Sequence, residues 1–319
     1  MKIVTLLPSA TELVCGLGLR NNLVGVSHEC DWPPSVLGLP VLTRSRIPPG
    51  LSSDAIDRLV TAQLQDDASL YSLEEELLRE LAPDLIVTQA LCDVCAVSGS
   101  EVARAIGSLP GAPVVVNLEP ICLQDVLDTV GLVAAAAGCV ERGREYTAQL
   151  QSRIDAVASR SLAIAAGARP RVALLDWLDP IFDGGHWVPE LITLAGGIPC
   201  LGAAREPSQR RAWQELADAS PDVLVIALCG FDIQRSLEDT RVFLDRPEWM
   251  HLRAAAGPRV LLFDGNADFS RPGPRLVDSL EILAHALHPE VHPLPAGMPQ
   301  ARTLAGNGMP TLAPVGPGA

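Results

Sequence analysis

The chain has 319 residues, 48% of them hydrophobic, and carries 38 acidic against 24 Lys and Arg side chains, a formal charge of −14. That length supports two domains with separate cores, and the acidic balance argues against nucleic acid and anionic membrane, which need a basic footprint. No stretch reaches the roughly 20 continuous apolar residues that span a bilayer; the richest, Val126 to Val140, is interrupted by Asp128, Thr129 and two glycines.

In chain order, Ile3 to Leu7 reads as a strand that turns at Pro8-Ser9 into a helix, with Ser9 or Thr11 as cap. One basic residue, a short apolar run and Glu12 do not make a secretory leader, so the expectation is a cytoplasmic protein with reduced thiols. Leu23 to Ser27 is a second strand, and Ser53 to Gln65 has helical periodicity at Ile56, Leu59, Val60 and Leu64. Ser72-Leu73-Glu74-Glu75 fits a capping box opening a helix to Leu81. Pro83-Asp84 breaks that helix before the strand Leu85 to Thr88, and Pro113 to Val116 is another strand. Leu123 to Ala166 is rich in helix formers, with one break expected near Gly138-Cys139. A second strand–helix set starts at Arg171, and Leu77 to Val87 matches Glu215 to Val225 in pattern: helix, Pro-Asp, buried strand.

The alternation implies an α/β chain of two Rossmann-like lobes bridged by a long backbone helix. The expected divisions are 1–122, a connecting helix 123–167, 168–290, and a Pro/Gly-rich tail 291–319 expected to be poorly ordered.

Candidate functional residues gather just after apolar strand-like runs, where open α/β sheets bind ligands. Cys92 and Cys95 form a C-x-x-C, and His28 and Cys30 follow the preceding strand. A His/Cys₃ set suits zinc or another thiophilic centre, and each thiol also reads as a small buried hydrophobe. Cys229 holds in the second half the place Cys92 holds in the first, with packing as its plainer reading. Cys15, Cys122, Cys139 and Cys200 read as structural. His186 and Trp187 follow Gly184-Gly185, and Trp32, Trp177 and Trp187 all fall at strand ends or Gly-rich loops, where a flat face suits a planar ligand. Arg271 and Arg275 close a loop after the strand Val260 to Phe263 and either take a ligand carboxylate or amide or pair structurally. No P-loop, G-x-G-x-x-G, G-x-S-x-G or H-E-x-x-H occurs, so a binding protein is favoured over an enzyme.

Several of these segments together carry a resemblance. They are the strand–Pro-Ser-Ala-Thr-Glu–helix opening over Met1 to Leu19, Val24 to Pro33, Pro83 to Ile86, the long helix, Trp187 to Leu191 with Leu194 to Gly197, and Pro221-Asp222. Up to about residue 288 the chain resembles the helical-backbone, class III substrate-binding proteins of ABC importers. Their cobalamin-binding branch has a Ser-x-x-x-Asp-aromatic-Pro loop, matched at Ser27, Asp31, Trp32 and Pro33. The resemblance implies a cleft between the lobes for a bulky metal-containing or chelated ligand, an ABC-transporter-related partner, and aromatics lying against a corrin ring, Trp32 by motif and Trp187 more weakly.

The first reading is therefore a cytoplasmic cobalamin- or corrinoid-binding protein without turnover. In it Trp32, His186, Trp187, Cys229 and Arg271 contact the ligand, and His28 or a thiolate approaches the cobalt. The alternative is a zinc-like site, carrier or metalloenzyme, built from His28, Cys30, Cys92 and Cys95. A dithiol redox enzyme using Cys92 and Cys95 ranks last.

Overall fold

In the computed structural model, residues 1–65, 69–89, 105–107, 109, 111–254, 258–305 and 311–314 are described. Contacts divide the chain into two units. The first is Met1–Pro120 with Gln124–Leu150 and Pro272–Pro274; the second is Ile121–Leu123 with Gln151–Arg271 and Arg275–Ala319.

In the first unit, β1 (Ile3–Thr5) runs into α1 (Pro8–Gly16), with Pro8 supplying a pre-set φ where no amide partner is needed. β2 (Leu23–Gly25), β3 (Thr43–Ser45), α2 (Ser53–Gln65), β4 (Tyr71–Leu73), α3 (Glu75–Leu81), β5 (Leu85–Thr88) and β6 (Val114–Asn117) follow. β2, β1, β5 and β6 form a parallel sheet in that order, and β3 pairs antiparallel with β4. Its core joins Val4, Leu6 and Ile86 of the sheet to Leu42, Leu70, Tyr71 and Leu78. The capping box expected at Ser72 is not formed. Ser72 is a strand residue opposite Arg44, and α3 starts after Glu74 without a side-chain cap, because Tyr71 and Leu73 alternate into the core.

α4 (Leu123–Ala136) and α5 (Val140–Ser161) are separated at Gly138, whose φ of +69° is the left-handed conformation that glycine adopts without a Cβ clash. The division between the units falls inside α5.

The second unit holds β7 (Arg171–Leu178), β8 (Ile181–Asp183), α6 (Val188–Leu194), β9 (Ile198–Pro199), α7 (Trp213–Ala219), β10 (Val223–Ile226), α8 (Ile233–Leu244), α9 (Pro247–Ala254), β11 (Arg259–Leu262) and α10 (Leu276–Leu287). β11, β10 and β7 run parallel, β9 pairs parallel with β7, and β8 folds back antiparallel. Phe243, 1% exposed, fills the core between the rings of Trp213 at 4.6 Å and Trp249 at 5.5 Å.

The tail is a correction to the reading from composition. Within 291–319, β12 (Arg302–Ala305) and β13 (Thr311–Pro314) form a hairpin that extends this sheet antiparallel from β11. Leu304 packs against the core and Ala301, just before β12, is buried, so apolar residues order this stretch despite the Pro and Gly content around it.

The matching segments have one physical basis. α3 and α7 both end in a left-handed residue, Ala82 with φ 45° and Ser220 with φ 44°, followed by Pro-Asp and a fully buried strand. Asp84 Oδ2 accepts the Lys2 amide at 2.6 Å, and Asp222 Oδ2 accepts the Arg171 amide at 2.8 Å. In each unit the acid ties the start of its own strand to the start of the neighbouring one.

Candidate functional site

The carboxyl ends of the parallel strands present two groups of residues, one in each unit. In the second unit they come from the loops after β7, β10 and β11. The half-buried rings of Trp177 and Phe231 lie 5.1 Å apart at a 46° tilt, and the Arg235 guanidinium sits 4.6 Å over Phe231. Trp177 is held by its Nε1–H, which donates to the Asp179 carbonyl at 3.2 Å. Phe231 is set by a turn in which its amide donates to Leu228, and its own carbonyl accepts the Asn266 amide. Asp232 then caps α8 by accepting the Arg235 amide at 2.7 Å, which places Arg235 one turn beyond Phe231. The β11 loop is pressed on the β10 loop at Gly265, where a Cβ would stand 2.0 Å from the Leu228 carbonyl oxygen.

Beside this aromatic pair, Asp176 accepts the Ser208 hydroxyl at 2.5 Å, and its backbone carbonyl accepts the Cys229 amide. Burial, with the nearby Asp183, pushes the Asp176 carboxyl up to about 7 against the pull of the Ser208 hydroxyl. In the β11 loop Asp268 is buried with Oδ1 unpartnered, and burial likewise raises it to about 7 despite the attraction of Arg275 and Arg271. Each carboxyl is thus held close to half-protonated near neutral pH, in contrast to an exposed aspartate.

In the first unit the loops after β1, β2 and β5 carry hydroxyls. Thr5 and Thr11 are hydrogen-bonded at 2.6 Å, and the Cys30 thiol lies 3.0 Å from Thr11 and 3.1 Å from Ser27. Ser9 and Thr88 are buried with unpartnered hydroxyl oxygens. Trp32 stands 46% exposed on the loop after β2. His28 turns away to Thr43, 2.7 Å from Nδ1, and packs on Tyr71 at 5.4 Å; burial lowers its pKa.

The sequence-predicted residues fare differently. Trp32 is an exposed aromatic. Trp187 is not: it is 6% exposed and its Nε1–H donates to the Phe269 carbonyl at 2.8 Å, which makes it a core residue. His186 stacks on Trp187 at 5.4 Å, and burial lowers its pKa. Glu190, four residues on, accepts the Leu123 amide. Cys229 is exposed in the β10 loop. Arg271 is buried and donates to Asn266 Oδ1 at 3.0 Å, inside its own loop.

Cys30 points to hydroxyls while His28 points to Thr43, and Cys92 and Cys95 lie outside the described residues. Among the described residues no group of three His, Cys, Asp or Glu side chains is placed to hold a metal ion, and zinc finds no support. Burial pushes the thiols of Cys15 and Cys200 up to about 11, as suits inert packing residues. Phe231 and Arg235 were missed from sequence. Their signal was the four-residue spacing around an Asp that caps a helix.

The Periplasmic binding protein family model matches residues 3–267. A Vitamin B12-binding protein of Yersinia pestis (strain Pestoides F) is 22% identical over 231 residues, covering 71% of this chain and 69% of the relative. An uncharacterized ABC transporter substrate-binding lipoprotein of Bacillus subtilis (strain 168) is 21% identical over 300 residues, covering 91% of this chain and 80% of its own. Among solved structures, a periplasmic heme-binding protein from Pseudomonas aeruginosa matches with a TM-score of 0.66 at 19% identity, covering 94% of this chain and 97% of that one. These relatives overturn the expectation of a cytoplasmic protein, since they are periplasmic or lipoprotein substrate-binding proteins. That expectation rested on Met1 to Glu12, whose composition does not decide where a chain acts. Among the described residues no helix is long and apolar enough to cross a membrane.

Proposed function

The chain belongs to the periplasmic binding protein family, and from that premise we propose that it binds a cobalamin-type corrinoid without turnover and hands it to an ABC importer. The observation that carries this reading is the Trp177–Phe231 pair at the carboxyl ends of β7 and β10. Aromatic faces at that place suit a broad, flat macrocycle. Asp176, the residue before Trp177, anchors the Ser208 loop through its buried carboxyl. The first unit, taken by itself, exposes an aromatic of the same kind, Trp32. The B12-binding relative supports the ligand class.

Haem is the competing tetrapyrrole, because the similar Pseudomonas aeruginosa structure is of a heme-binding protein. Haem iron draws on protein side chains such as His, Cys, Met or Tyr for its axial ligands, whereas cobalamin brings its own. The chain has two tyrosines. Tyr71 is 9% exposed in the core, and the Tyr146 ring fills the space beside Gly16. Cys229 is exposed in the β10 loop, so the preference for the corrinoid rests on the B12-binding relative and the titration below decides between the two.

The test is a visible absorption titration of the reduced, metal-stripped protein with cobalamin and, separately, with haem, with elemental analysis of untreated protein alongside. A saturable cobalamin shift, weakened in Trp177→Ala, is expected. Tighter binding of haem would replace the corrinoid reading. No shift with either, together with stoichiometric metal lost in Cys92→Ser, would return the His28, Cys30, Cys92 and Cys95 metal site to first place.

A further inference from the structure

Three of the six histidines lie within eight residues at one corner of the second unit, away from the strand ends described above. His285 and His288 belong to the last turn of α10 and its cap, and His292 to the turn that follows. The hydrogen bonds assign a tautomer to each ring. Ser161 donates its hydroxyl to the Leu194 carbonyl at 2.7 Å, so its oxygen is free to accept from His292 Nε2 at 3.1 Å. His292 is then protonated on Nε2, and its Nδ1 lone pair is buried with no partner. His285 Nδ1 faces the His292 carbonyl at 2.8 Å, and a carbonyl only accepts; its Nε2 is likewise buried and unpartnered. His288 Nε2 faces the Gly196 carbonyl at 3.2 Å by the same logic. Gly196, with φ +88°, lets the ring approach so closely that a Cβ would stand 3.2 Å from it.

These bonds converge on four elements: the end of α5 at Ser161, the end of α6 at Leu194, the turn at Gly196, and the end of α10. We infer that His285, His288 and His292 form an acid-sensitive clasp, which pins the ends of α5 and α10 to Leu194 and Gly196 and which protonation of His292 releases.

The reason is geometric. A second proton on His292 Nδ1 would be a buried N–H with no acceptor. The charges around it work in the same direction. Burial first, then His288, Arg160 and His285, hold His292 down to about 4, and Glu290 alone among the named neighbours pulls the other way. Arg169, donating to the Ser161 carbonyl, adds a further cation at the same helix end. Glu290 lies 3.8 Å from His288 Nδ1 on the solvent side. A ring held below its ordinary 6.5 when closed takes up a proton on opening, so the closed form loses ground as pH falls from about 6.5 towards 4.

The full chain tests this by an NMR pH titration of the histidine rings and by hydrogen exchange of the peptide spanning 283–295 at pH 7 and pH 4.5, corrected for chemical rate. The expected result is a His292 midpoint below pH 5 and at least tenfold faster exchange at pH 4.5. His292→Gln keeps an N–H for Ser161 but cannot gain a proton, and its exchange should change less than threefold. A His292 midpoint above pH 6, or wild-type exchange that ignores pH, would overturn the proposal, and neither result depends on the variant folding. Equal acceleration in a folded His292→Gln would overturn it as well.

Discussion

Trp177 and Phe231 pack ring against ring at 5.1 Å, although one extends β7 into its hairpin and the other closes a turn after β10. Trp177 lies two residues beyond the β7–β10 pairing and Phe231 five beyond it, so the β7–β8 hairpin and the Leu228–Phe231 turn set their spacing. A pair held this way is a rigid platform, and its contribution to a ligand is separable from its contribution to the fold.

Trp177→Ala should weaken cobalamin binding about tenfold, the scale of one aromatic contact of ~0.5–1.5 kcal/mol together with lost buried area. Half-buried as it is, its loss should move the melting temperature only a few degrees. An absorption titration and a thermal melt on the same sample separate the two effects.

Gly265→Ala should damage the same surface without touching a ligand-facing side chain. The new methyl would collide with the Leu228 backbone, so the β10 loop must shift. A destabilisation of about 1–3 kcal/mol is expected from such overpacking, with a change in the near-ultraviolet circular dichroism of the Trp177–Phe231 pair.

Asp268 gives a pH dependence of definite sign. Its carboxyl is raised to about 7 in the folded chain and returns to about 3.9 on unfolding. Folded protein therefore holds a proton that unfolded protein releases, and the associated stability is complete below about pH 4 and lost as pH rises through 7. Asp268→Asn, neutral at every pH, should exceed wild type by roughly 2–4 kcal/mol at pH 8 and by much less at pH 5. Urea unfolding at the two pH values reads this directly.

Asp222→Ala removes the acceptor for the Arg171 amide and should cost about 1 kcal/mol, because the acid is exposed and water replaces part of the bond. Asp84→Ala should cost a similar amount in the first unit. Denaturant midpoints should fall with an unchanged slope.

Much of the fold was legible because it rests on local chemistry. The Pro-Asp steps, the buried strands after them and the helix break at Gly138 each follow from a residue and its immediate neighbours. The candidate site was less legible because its decisive contacts are distant in sequence. Trp187 looked like a ligand platform beside two glycines, yet its indole N–H finds a carbonyl 82 residues away. Cys30 stands two residues from His28 in sequence, and its thiol lies 3.0 Å from the hydroxyl of Thr11 in the preceding helix. Phe231 is unremarkable until β10 is laid beside β7. The hairpin in the tail follows the same pattern, since Leu304 is ordered by a core built more than a hundred residues earlier, from β7 onward.

Asp84 and Asp222 fasten their sheets at the starts of the strands, and the loops that carry Trp32, Trp177 and Phe231 leave from the other ends. Anchorage and recognition thus occupy opposite rims of each unit. A laboratory seeking to redirect this scaffold to a different macrocycle can vary Cys229 and Phe231 together with Glu29, Asp31 and Trp32, keeping the buried Ser27, Cys30, Ala227 and Leu228 and the cap Asp232, and select on binding alone. Variation there leaves both carboxylate fastenings intact, so most library members should still fold.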